Sequence, residues 1–103
     1  MNWQAAREDT LSLWRKIRAD IGTASKLDLL TDINAVCALC VKAERETDDP
    51  ARRCEVCPAF QQFGGCYGVN GLMSERVVEQ DWEGLRKLVD GFIARLEALE
   101  LLD

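Results

Sequence analysis

The sequence predicts an all-α fold: a three-helix bundle with a cysteine-rich, metal-binding loop between helices 2 and 3. Three observations carry this. Apolar residues recur every three or four positions in three long stretches, the repeat of an amphipathic helix. No stretch alternates apolar and polar residues as a half-buried strand would. Residues 47–74, where the repeat lapses, hold both prolines, four of the seven glycines and three of the five cysteines. At 103 residues the chain fits one domain, 1–103.

The first helix is expected from Asn2 to Ile21. Trp3, Ala6, Thr10, Leu13, Trp14, Ile17 and Ile21 form its apolar face. Gly22 follows as a helix stop, and Ser25 with Asp28 approximates a capping box for the next helix.

The second helix is expected from Lys26 to about Glu46, with Leu30, Ile33, Val36, Cys37, Cys40 and Val41 on one face. Asp48-Asp49-Pro50 ends it, because the residue before a proline avoids helical backbone angles.

The third helix is expected from Glu75 to Leu101. Val78, Trp82, Leu85, Val89, Phe92, Leu96 and Leu99 make a heptad seam, which allows either packing within the bundle or a homodimer through this helix. Gly84, Gly91 and Ala98 recur every seven residues and would admit a close neighbour. The three tryptophans read as core rather than as a ligand platform.

Small domains bury a smaller share of their surface than large ones, so a domain of this size gains from a staple. The cysteines offer one. Their order is Cys37-x2-Cys40, thirteen residues, Cys54-x2-Cys57, eight residues, Cys66. Two sulfurs three residues apart can reach one ion, and a second such pair completes a tetrahedron. The chain has no histidine, so the shell would be all thiolate or thiolate with a carboxylate or an exogenous ligand. Cys54, Cys57 and Cys66 lie in the stretch that needs ordering, and Cys40 lies nearer to it than Cys37. The expected ligands are therefore Cys40, Cys54, Cys57 and Cys66, with Cys37 as the alternate; the two C-x2-C pairs, Cys37, Cys40, Cys54 and Cys57, are the close rival set.

Zinc is the favoured occupant and makes the metal structural. An iron–sulfur cluster is the alternative, since Cys57-Pro58 echoes the step that closes ferredoxin ligand runs. Arg52 and Arg53 adjoin Cys54 and could offset the charge of a four-thiolate centre. Phe60, Phe63 and Tyr67 flank the loop cysteines and would shield the metal.

Composition narrows the function. The net charge is −5, and the stretch from Glu75 to Asp103 carries eight acidic and four basic residues. Basic residues form no stripe, which argues against nucleic acid and anionic membranes. Met1-Asn2-Trp3-Gln4 opens no export signal, so a cytoplasmic setting with reduced thiols is expected. No GxSxG, P-loop or dinucleotide fingerprint is present. The reading is a non-enzymatic protein-interaction or assembly module whose partner is another protein. A redox protein is the alternative.

Overall fold

A computed structural model describes residues 2–66 and 68–101. Among them the fold is all-α, with no strand. The helices are α1 (Trp3–Asp20), α2 (Lys26–Ile33), α3 (Ala38–Arg45), α4 (Arg53–Val56), α5 (Pro58–Phe63), α6 (Val69–Glu79) and α7 (Trp82–Glu97). A single 3₁₀ turn, Pro50–Arg52, precedes α4.

The ends of α1 follow local chemistry. Asn2 caps its start, accepting from the Ala5 amide at 2.8 Å. Gly22 has φ +93°, the left-handed backbone that closes a helix at least cost when the residue is glycine. Ser25 then caps α2 through the Asp28 amide at 3.1 Å.

The expected second helix is two helices. Leu29 and Ile33 are buried on α2, and Leu39 and Ala43 on α3. Ile33 and Leu39 are six residues apart, so one continuous helix would turn them about 240° from each other. Breaking the helix at 34–37 lets both pairs face the same core. Asn34 makes the stop by donating its side-chain amide to Leu30 O at 2.8 Å. Val36, expected on the apolar face, is 79% exposed as a result.

The expected third helix is also two. At Gln80 the backbone turns left-handed (φ 61°), and the Asp81 amide reaches back to Arg76 O at 2.9 Å. Asp81 then caps α7 by accepting from the Gly84 amide at 2.9 Å. A Cβ on Gly84 would collide with the Asp81 carboxylate, so this glycine serves its own cap rather than a neighbouring helix. Gly91 has open space above it. The break also rephases the seam: Val77 is buried and Val78 is 65% exposed.

The lapse at 47–74 is not one loop. It folds as the 3₁₀ turn, α4, α5 and the first half of α6. The three-helix bundle is thus replaced by more and shorter helices, because the second and third expected helices each change face partway along while the first stands unbroken as α1.

The core lies between α1, α6 and α7, with α2 against α1 and α6 and with α3 against α1. Leu85, Val89, Phe92, Leu96 and Leu99 are spent in it, so a homodimer through α7 would need another face. Trp14 meets Phe92 edge-on at 4.9 Å, and Phe63 meets Phe92 at 5.8 Å. Ion pairs such as Arg18–Asp90 and Lys16–Asp32 link α1 to α7 and α2 across the exposed surface. No helix among the described residues is long and apolar enough to cross a membrane.

Candidate metal centre

Four stretches of chain deliver the thiols. Cys37 is the N-cap residue of α3, and Cys40 follows one turn later. Cys54 sits on α4, and Cys57 joins α4 to α5. Cys66 lies between α5 and α6. All five line one cavity of about 150 Å³, and all are free thiols.

Its walls are built by local rules. Pro58 opens α5 at the position where proline costs no hydrogen bond. The amides of the next two residues, Ala59 and Phe60, face the Cys57 sulfur. Gly64 and Gly65 close α5, their amides reaching Phe60 O at 2.9 Å and Ala59 O at 3.0 Å. Gly65 has φ +59°, and a Cβ there would sit 3.3 Å from the Phe60 nitrogen. Glycine takes this left-handed turn without strain, and the turn brings Cys66 to the cavity.

The remaining walls are mostly apolar: Leu39, Ala43, Ala59, Phe60 and Phe92. Phe92 makes this cavity continuous with the core. Phe60 is still 40% exposed, and Phe63 packs on Phe92, so these rings do not form a separate satellite core. Tyr67 lies outside the described residues.

Arg53 lines the cavity and pairs with Glu44 at 3.3 Å, whereas Arg52 pairs with Glu55 at 2.8 Å and does not line it. A second groove of about 280 Å³ reaches Cys37, Cys40 and Cys66 from the side of Val36 and Asn70.

The thiols perturb one another. Cys37 is pushed up by the neighbouring Cys40 thiol and by burial. At Cys40 the Cys37 thiol favours the charged form, but Cys66 and burial outweigh it and raise the pKa. Burial raises Cys57, against the pull of the Phe60 and Ala59 amides. Cys66 is drawn down to about 7 by the Cys40 thiol, despite burial. Cys37, Cys40 and Cys57 are therefore favoured as neutral thiols, and Cys66 is the one drawn toward the thiolate.

Among the described residues, no three cysteine, aspartate or glutamate side chains are gathered so as to hold a metal ion. All five cysteines nonetheless line the same cavity, with the Cys40 thiol in contact with those of Cys37 and Cys66.

One residue escaped the sequence reading. Thr10, counted there as one more apolar-face position, is 1% exposed and puts its hydroxyl at the Cys37 sulfur. The available signal is a lone hydroxyl inside an otherwise apolar repeat. Compared with known protein families, with curated proteins and with solved structures, the chain has no match.

Proposed function

We propose that this is a small iron–sulfur protein whose cysteine-lined cavity holds the cluster of a one-electron carrier. The observation that carries the reading is the size of the space the five sulfurs share. One water needs only about 10–15 Å³ of such space, and a bare divalent ion is no larger. A cavity of about 150 Å³ is roughly ten times that. Iron–sulfur clusters of two or four irons are held by four cysteine thiolates. The apolar wall suits a redox group, because low polarity and limited water help set the potential. Arg53 supplies a positive charge beside the thiolates. The electron comes from the reduced centre of one partner protein and passes to the oxidised centre of another. The function is non-enzymatic.

Anaerobically purified protein is expected to be brown, with broad visible absorbance and with iron and acid-labile sulfide in matching amounts. Colourless protein holding one zinc per chain would overturn the reading. That outcome would establish the second reading: a structural zinc that orders an assembly or protein-interaction module. The paired C-x2-C spacing favours zinc.

A further inference from the structure

Around Cys40 the thiols meet in pairs. Its side chain touches that of Cys37 on one side and that of Cys66 on the other. The two pairs have different origins. Cys37 and Cys40 are neighbours in sequence, one turn apart at the start of α3. Between Cys40 and Cys66 run the rest of α3, the 3₁₀ turn, α4 and α5, so only the fold brings those two together.

Access is uneven as well. The side groove of about 280 Å³ is lined by Cys37, Cys40 and Cys66, and not by Cys54 or Cys57. A water needs only about 10–15 Å³ of such space, and hydrogen peroxide is little larger. An oxidant entering by this groove meets Cys40 and Cys66 side by side, both of them free. Two adjoining thiols within reach of a peroxide are the usual substrate for disulfide formation.

We infer that the cavity has a second, covalent state: when no group is bound, a hydroperoxide joins Cys40 to Cys66, and the disulfide ties the cysteine segment to α3. Either occupant, a cluster or zinc, would shield the pair, so this state does not depend on which one binds. With hydrogen peroxide, one thiol takes an oxygen atom as the O–O bond breaks, giving a sulfenic acid and a water. The second thiol attacks that sulfur, the S–S bond forms and another water leaves. The thiol pair loses two electrons and two protons, and the peroxide is reduced to water. A dithiol reductant reverses the bond by exchange and reopens the cavity.

The choice of Cys66 over Cys37 follows from what each bond would secure. A Cys37–Cys40 bond closes one helical turn and holds nothing else in place. A Cys40–Cys66 bond closes a loop around the 3₁₀ turn, α4 and α5, and a cross-link stabilises more as its loop lengthens. Because Cys40 touches both partners, exchange through its sulfur settles on the pair that the fold supports.

The test takes the full chain, stripped of metal under reductant, freed of both reagents and treated with hydrogen peroxide. Remaining thiols are blocked before digestion with trypsin. Cleavage leaves Cys37 and Cys40 on one peptide, 27–42, and Cys54, Cys57 and Cys66 on another, 54–76. The two peptides should be joined, with fragment masses placing the bond at Cys40 and Cys66, and two of the five thiols should be lost. Oxidised stripped protein should melt several degrees above reduced stripped protein, and a dithiol should reverse the gain. Cys37→Ser should form the same bond, and Cys66→Ser should not. The wild-type peptide map decides the matter even where a variant fails to fold. A bond inside peptide 27–42, a bond to Cys54 or Cys57, a link between two chains or no loss of thiols overturns the inference. So does an oxidised protein that melts no higher than the reduced one. Metal analysis of untreated protein is a separate measurement: a colourless zinc protein overturns the proposed electron carrier and leaves the disulfide result standing.

Discussion

At the residue scale, single glycines and capping side chains set where the helices of this chain turn. Gly65 is the sharpest case. Left-handed backbone costs an ordinary residue about 1–2 kcal/mol, and a Cβ at 65 would also press on the Phe60 backbone at 3.3 Å. Gly65→Ala should therefore destabilise the protein by roughly 2 kcal/mol in urea unfolding. It should also reduce metal loading, since the same turn delivers Cys66. Gly64→Ala makes a useful contrast, because a Cβ there meets nothing within 4 Å and only the backbone cost applies. Equal effects at 64 and 65 would mean that the close approach to α5 is unimportant. The cysteines could be found by their spacing, and grouping them was a matter of reading. Thr10 and Gly65 could not be found that way. Their roles depend on what the chain lays across them, from 27 residues away at Cys37 and from the neighbouring helix at Phe60.

At the scale of elements, helical character was legible almost throughout, and helix length was not. The apolar repeats along α1 and α7 are strong; α1 stands within a residue of where the sequence puts it, whereas α7 begins seven residues later than expected. The breaks at 34–37 and at Gln80 were hidden because each leaves a plausible apolar series running through it. What marks them is a cap. Asn34 turns its side chain back onto its own helix, and Asp81 starts the next one. A capping aspartate is worth about 1 kcal/mol. Asp81→Ala should lower stability by that amount, with α7 fraying at Trp82–Gly84. Asp81→Ser should recover most of the loss, because serine caps nearly as well. If alanine and serine behave alike in thermal unfolding, the cap is not what fixes the α6–α7 corner. The short helices α4 and α5 were illegible for a different reason. A helix of four or six residues is too short to show a repeat, and it is marginal without tertiary support.

At the scale of the whole molecule the protein has two unequal parts. The body is α1, α2, α6 and α7, with α3 on its flank, and it holds nearly all of the buried apolar side chains. The segment from Pro50 to Cys66 buries little besides Cys57 and Ala59. Its 3₁₀ turn and α4 pack on α3 and on each other, and α5 packs on α4. Two bonds between Gln62 and Glu100, at 2.7 and 3.0 Å, and the Phe63–Phe92 contact tie its far end to the body. Ordering a residue costs about 1–2 kcal/mol of backbone entropy, and two small buried side chains with the partly buried Val56, Phe63 and Cys66 offset little of that for such a length. Under the proposed function a bound group would supply the balance, because affinity for a folded site becomes folding free energy. Reduced protein stripped of metal should therefore lose order in one part only. Hydrogen exchange should become fast from Pro50 to Cys66, with a matching partial loss of helix by circular dichroism. Amides in the middle of α1 and α7 should stay protected by their own core. Adding back the bound metal, with sulfide where the group is a cluster, should restore slow exchange in the segment. Unchanged protection there in stripped protein would show that the thiol cavity forms without an occupant, and that the group is carried by the fold without supporting it.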